Sequence, residues 1–133
     1  MSFTINRNSA NTILPTLKEK TTLPNPTYLW QFKSVASGSL FYCICTELST
    51  YLERYNKFVL TETGATTPVP LNGEVSLSAG DYEYTIYEQA SATNLNPSGL
   101  TVVEVGDATS YDSTINTNKI YTGANLIDKV YNG

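Results

Sequence analysis

The sequence predicts an all-β protein, and three observations support that prediction. Apolar and polar residues alternate over short segments, which is the period of a half-buried strand. Turn residues separate these segments at intervals of about 8–12 residues, and no long helical pattern lies between them. Charged residues make up 15% of the chain and hydrophobic residues 41%, a balance typical of strands whose outer faces carry hydroxyls and amides. The 133 residues fit a single domain.

Period-two alternation places the individual strands. In the two clearest segments, Trp30 shares a face with Phe32, and Tyr84 shares a face with Ile86. The turn at residues 36–39 joins the first two strands as a hairpin. The predicted strands are residues 28–35, 40–46, 57–62, 75–77, 82–88 and 101–105. With weaker signals near the ends of the chain, they form an antiparallel sandwich of about seven strands.

A tyrosine after a turn favours an immunoglobulin-like arrangement of that sandwich. In such domains, a tyrosine near the start of a late strand hydrogen-bonds through its hydroxyl to the backbone upstream. Tyr82 follows the turn at Gly80 and is placed for that role, with Tyr84 as the alternative. We therefore predict an antiparallel immunoglobulin-like β-sandwich.

The two ends of the chain differ from its middle, residues 27–106, which form the predicted sandwich. Residues 1–26 are poor in apolar side chains and end at Pro24 and Pro26, which predicts an extended N-terminal arm or a first strand. An arm of this kind would add a strand to the sheet of a neighbouring subunit. Residues 107–133 are predicted to be a C-terminal extension that packs on the core or on a neighbour. Its weak strand signals are at Ile115, Ile120, Tyr121, Val130 and Tyr131.

Composition and charge exclude whole classes of function. The net charge is −4 and no segment clusters Lys and Arg, so the basic footprint that nucleic-acid binding needs is missing. No apolar run approaches the roughly 18 residues of a membrane span. The chain has no histidine, which removes His-dependent nucleophilic catalysis and imidazole metal ligands. The first residues do not form a secretory signal, so we expect synthesis in a cytoplasm.

The cysteines and carboxylates point to structural roles. Cys43 and Cys45 are two residues apart in a predicted strand, so both point to one face, and we expect buried thiols without a mutual disulfide. Asp81 and Glu83 share a strand face that we expect to be solvated, although paired carboxylates can also act as acid and base.

A calcium site is the remaining metal candidate. Asp107, Asp112, Asn116 and Asn118 could supply oxygen ligands, but their spacing does not match an EF-hand loop and its terminal glutamate is missing. We therefore expect no metal, no cofactor and no catalytic residue, and we predict that the protein is not an enzyme.

The ten tyrosines leave three interpretations open: a protein interface, ordinary packing between strands and a carbohydrate platform. Tyr42 and Tyr87 are predicted to point away from the aromatic faces of their strands. Tyrosine on an outer face is favoured at protein interfaces. The candidate interface residues are Tyr42, Tyr87, Tyr121 and Tyr131.

Two segments resemble a known group of proteins. Residues 42–58 and 73–89, followed by Val103-Glu104-Val105-Gly106, resemble small virion proteins of tailed phages that infect Bacteroidota, including crAss-like phages. The likeness covers residues 28–106. The residues that carry it are Arg54, Tyr55, Asn56, Phe58, Tyr82, Tyr84, Ile86, Tyr87, Glu88, Val103, Glu104 and Gly106.

The resemblance implies a non-enzymatic structural part of a virion. We expect an auxiliary or decoration protein that binds the major capsid protein or other virion proteins, is able to form homo-oligomers, and binds neither nucleic acid nor membrane. A tail or portal-proximal connector component is the alternative within that class. A carbohydrate-binding adhesin for the host surface is the alternative from another class.

Overall fold

The computed structural model describes residues 2–17, 19–50 and 54–112. A short 3₁₀ turn, Pro70–Asn72, lies between the fifth and sixth strands. The strands are β1 (Ser2–Asn6), β2 (Ser9–Ile13), β3 (Thr27–Ser34), β4 (Leu40–Cys45), β5 (Phe58–Glu62), β6 (Glu74–Val75), β7 (Gly80–Gln89) and β8 (Thr101–Tyr111). Each of the six strands predicted from residue 27 onwards is present, with shifted ends.

The strands form two sheets. One has five strands in the order β1-β8-β7-β3-β4, and the other has three in the order β2-β5-β6. The predicted hairpin is confirmed, because β3 and β4 pair in antiparallel fashion. The all-β sandwich is confirmed as well. Both sheets are mixed, however, since β1 pairs in parallel with β8 and β5 in parallel with β6. The immunoglobulin-like identity stays a prediction.

Aromatic side chains join the two sheets in the core. Trp30 lies 6.0 Å from Tyr84 and 6.2 Å from Phe32 between ring centroids, in stacked arrangements within the five-stranded sheet. Phe58 comes from the three-stranded sheet and meets Trp30 edge-on at 5.3 Å. These rings are fully buried, and each such ring removes about 150–250 Å² from water. The inward-facing residues of the alternating segments therefore form one continuous core.

Tyr82 makes the hydrogen bond expected from the sequence. Its hydroxyl donates to the carbonyl oxygen of Ser78 at 2.9 Å, so the start of β7 is tied to the turn that precedes it. Tyr84, the alternative, donates instead to the carboxylate of Glu104 at 2.5 Å.

The structure corrects both predicted ends of the sandwich. Of the two alternatives for the N-terminal segment, an arm or a first strand, residues 2–13 form strands: β1 and β2 are edge strands of the two sheets, and Ile5 and Ile13 are buried in the core. Few apolar residues suffice there because only alternate side chains face inward. At the other end, β8 continues to Tyr111, beyond the predicted boundary at residue 106. The weak strand signals from Ile115 onwards lie outside the described residues.

Candidate protein interface

The outer face of the five-stranded sheet carries two of the four tyrosines predicted for an interface. Tyr42 on β4 is paired with Gln31 of β3, and Tyr87 on β7 is paired with Leu29 of β3. Both tyrosines point away from Trp30 and its neighbours, as expected, but they are partly buried rather than fully exposed. Tyr121 and Tyr131, the other two predicted residues, lie outside the described residues.

Residues that lie side by side on neighbouring strands form rows across this face, and the middle row is uncharged. Across the strands it runs from Val105 on β8 through Thr85 and Gln31 to Tyr42. Val105 is 61% exposed. Such a surface has few charges to desolvate and offers an amide and a hydroxyl for hydrogen bonds, which are properties of the central part of protein interfaces.

Tyr87 belongs to the next row, with Val102 on one side and Leu29 on the other. From strand spacings of about 4.8 Å and a rise of about 3.3 Å per residue, the Cα atoms of Tyr42 and Tyr87 are about 12 Å apart. A ligand that contacts both tyrosines must cover this distance, which suits an extended protein surface.

The β7–β8 connection covers one end of the face. Leu29 is 0% exposed although it points away from the core cluster. Gln89 and Asn94 exchange two hydrogen bonds, at 2.9 and 2.8 Å, one of them to a backbone carbonyl. Ala92 lines the same cleft as Ile44, the cross-strand partner of Leu29. The connection thus shields Leu29 and leaves Val102, Val105 and Tyr42 as the accessible part.

A charged row borders the uncharged one. It consists of Asp107 on β8, Glu83 on β7, Lys33 on β3 and Leu40 on β4, all exposed. The acidic side chains lie at the β8 side and the cation towards β4. Sequence reasoning had Asp81 and Glu83 on a solvated face, and the structure places both on the exposed outer face. The structure adds Lys33, Val102 and Val105 to this face. The outward position of Val102 and Val105 depends on a β-bulge between Ile86 and Tyr87, which sets the register of β8.

Glu62 is a buried carboxylate that accepts hydrogen bonds from the backbone of neighbouring segments. It is fully buried at the end of β5. One oxygen accepts the backbone N–H groups of Asn8 at 3.0 Å and Gly64 at 2.8 Å, and the other accepts that of Leu77 at 2.7 Å. The guanidinium of Arg7 lies 3.7 Å away. The carboxylate therefore holds three chain segments together.

Glu88 plays a similar part at the other end of the molecule. It accepts the hydroxyl of Thr22 at 2.8 Å and the backbone N–H groups of Thr22 and Leu23, both at 2.9 Å. Burial alone raises the pKa of this carboxyl, but the hydrogen bonds from Leu23 and Thr22 outweigh burial and lower the pKa below its ordinary value. Glu88 thus stays ionised and anchors the approach to β3.

Glu104 lies in a cleft of about 400 Å³ that it shares with Leu14 and Lys20. The hydroxyl of Tyr84 donates to one oxygen, and the ammonium of Lys20 lies 3.6 Å from the other. Burial and this hydrogen bond raise the pKa of Tyr84 above its ordinary value. Both carboxylate oxygens therefore have partners within the fold.

The cysteines are confirmed as buried free thiols. Their sulfur atoms lie 4.0 Å apart on the inner face of β4. The hydrogen bond with Cys45 and burial raise the pKa of Cys43 well above its ordinary value, and a thiol that resists deprotonation is a poor nucleophile.

The described residues contain no group of three or more Cys, Asp or Glu side chains placed to hold a metal ion. Of the calcium candidates, Asp107 lies on the outer face, and Asp112 forms an ion pair with Arg7 at 3.5 Å. Asn116 and Asn118 lie outside the described residues. Within residues 2–17, 19–50 and 54–112, none of the secondary structure is a helix of the length and hydropathy that crossing a membrane requires.

Comparison with protein families, curated proteins and solved structures gives no match for this chain.

Proposed function

We propose that this protein is a non-enzymatic structural component of a phage particle, most specifically an auxiliary or decoration protein of the capsid. The observation that supports it is the uncharged middle row of the five-stranded sheet, where Val105 is exposed beside Thr85 and Gln31. The resemblance of residues 28–106 to small virion proteins supports a phage particle as the assembly that contains this chain. A repeating particle requires a stable domain with a surface that makes the same contact many times.

Quantitative mass spectrometry of particles purified from the phage that encodes this chain tests the proposal. A decoration protein gives copies on the order of hundreds per particle, following the symmetry of the shell. About a dozen copies would match a ring and favour the tail or connector alternative. Absence from purified particles rejects the proposal.

A pair of variants links the particle to the proposed face. Particles produced with Val105→Glu are expected to contain at least about tenfold fewer copies, because the substitution places a charge in the uncharged row. Thr12→Glu is the matched control, since Thr12 is exposed on the outer face of the three-stranded sheet. Equal incorporation of both variants would show that the contact uses another surface.

A carbohydrate-binding adhesin is the second candidate, because Gln31 offers an amide next to Tyr42 and Thr85 offers a hydroxyl next to Gln31 in the same row. A glycan array tests it with the purified chain. Specific binding that Tyr42→Ala or Tyr87→Ala removes would favour the adhesin, and an array without signal would count against it.

A further inference from the structure

We infer that the outer face of the five-stranded sheet pairs with the same face of a second copy of this chain. The inference rests on the proposed function, because it makes the repeated contact of this face in the particle a contact between two copies of the chain. Leu40 and Val102 are 49% and 47% exposed there and Val105 is 61% exposed, beside the partly buried Tyr42 and Tyr87. The three-stranded sheet instead presents smaller side chains.

The charges of this face are arranged for self-pairing. The bordering row runs Asp107, Glu83, Lys33, Leu40 from β8 to β4, so acids lie on one side and the cation on the other. Consider two copies with facing sheets, related by a two-fold axis that runs parallel to the strands and midway between the sheets. This axis places β7 of one copy opposite β3 of the other. Lys33 of each copy then faces Glu83 of the other, and the contact occurs twice. At the edge of the row, Asp107 lies over Leu40 of the other copy.

The uncharged row follows the same symmetry. The axis that brings Lys33 over Glu83 also places Tyr42 on β4 over Val105 on β8 of the second copy, and Gln31 over Thr85. Facing sheets pack about 10 Å apart, and in the part of the face that the β7–β8 connection leaves open, the side chains of Tyr42 and Val105 fill this gap. Each accessible apolar group of the row thus meets a complementary group on the identical surface.

The overall charge favours this geometry over other self-contacts. The chain carries a net charge of −4, so two copies repel unless a cation is placed against an acid. Among the residues that the structure describes, Lys33 is the cation on this face, while Arg7 and Lys20 lie against Glu62 and Glu104. The symmetric pairing uses Lys33 in both copies.

Sedimentation equilibrium of the purified full chain tests the inference through a charge exchange. The wild type is expected to form dimers that weaken as salt is raised. Lys33→Glu and Glu83→Lys each place like charges opposite one another, and each is expected to weaken dimerisation by about tenfold or more. A mixture of the two variants restores both contacts and forms heterodimers. Arg54→Glu is the matched control for Lys33→Glu, since Arg54 is exposed outside this face, and it leaves the dimer unchanged.

Three results overturn the inference: a wild-type chain that stays monomeric, a dimer that neither single variant weakens, and a mixture that forms no heterodimer. Circular dichroism of each variant verifies folding, and Lys33→Gln serves as a milder replacement if Lys33→Glu fails to fold. A monomeric chain that is abundant in particles rejects the pairing but retains the proposed function. A chain that dimerises but is absent from particles retains the pairing and rejects the proposed function.

Discussion

The two sheets of the sandwich follow the same alternation but differ in what they bury and what they expose. The five-stranded sheet buries stacked rings around Trp30 and exposes apolar side chains such as Val105. The three-stranded sheet buries the polar residues Asn11 and Glu62 and exposes small residues such as Thr12. The larger sheet buries polar residues as well, among them Glu88 and Glu104, so both sheets combine packing with directed hydrogen bonds, and the larger one adds the stacked rings.

The buried polar side chains of the smaller sheet bind backbone groups, several of them in the connections between strands. The Asn11 amide accepts the N–H of Asn6 at 2.9 Å and donates to its carbonyl at 3.1 Å, while Glu62 accepts three backbone N–H groups. A sheet of three short strands buries too little apolar area to order its turns by packing alone. On the outer face of the larger sheet, Val102 and Val105 are exposed in the single chain, so that part of the face is accessible for a contact.

The largest expected effect tests the polar anchoring of the smaller sheet. Glu62→Gln keeps the size of the side chain but replaces one accepting oxygen by an N–H₂ group and removes the charge opposite Arg7. Loss of one partner from a buried charged network costs about 3–5 kcal/mol, and we expect a decrease of about 3 kcal/mol in the free energy of unfolding. Urea denaturation at neutral pH measures it.

Glu83→Gln provides the matched comparison on the larger sheet. Glu83 is exposed on the outer face, so the same chemical change there is expected to alter the unfolding free energy by less than about 0.5 kcal/mol. Similar losses for the two variants would mean that the smaller sheet does not depend on its carboxylate.

Much of the larger sheet was predictable because its signals are local. The alternation around Trp30 and the turn before Tyr82 each lie within a few residues, so β3, its hairpin with β4 and the Ser78 hydrogen bond followed from the sequence. The outward orientation of Tyr42 and Tyr87 followed from the same period of two residues.

The rest depends on contacts between residues far apart in the chain. Residues 2–6 pair in parallel with residues 107–111, and no local pattern specifies a partner about a hundred residues away. The three N–H groups around Glu62 come from three separate connections that follow different strands. The outward orientation of Val105 could not be predicted from alternation, because the bulge in the β7–β8 pairing sets its place on the face.

The next largest effect on stability concerns the hydrogen bond between Tyr82 on β7 and the turn before this strand. Tyr82→Phe removes the hydroxyl that donates to Ser78, and a net hydrogen bond of this kind contributes about 1 kcal/mol. The expected decrease in unfolding free energy is about 1 kcal/mol. Tyr87→Phe, a matched change on the outer face of the same strand, is expected to stay within about 0.5 kcal/mol of wild type. If Tyr87→Phe is the more damaging change, the outer face contributes to stability and the contrast between the sheets fails.

The smallest effect asks whether the larger sheet also depends on a carboxylate. Glu88 on β7 accepts hydrogen bonds from Thr22 and Leu23, which lower the pKa of its carboxyl in the folded state. A lowered pKa in the folded state means that ionised Glu88 stabilises the fold. This contribution is fully present above the pKa of an unfolded glutamate, about 4.3, and is lost as the pH falls through the folded-state value.

Glu88→Gln removes that contribution, so the difference in unfolding free energy between wild type and variant is expected to shrink as the pH falls from 7 towards 3. Urea denaturation across this range measures the difference, and Glu83→Gln controls for the loss of any carboxylate. A difference that stays constant with pH would show that the neutral acid holds the segment at Thr22 equally well. The anchoring of Thr22 would then be independent of the charge of Glu88, whereas a shrinking difference shows that the larger sheet anchors this segment through ionised Glu88.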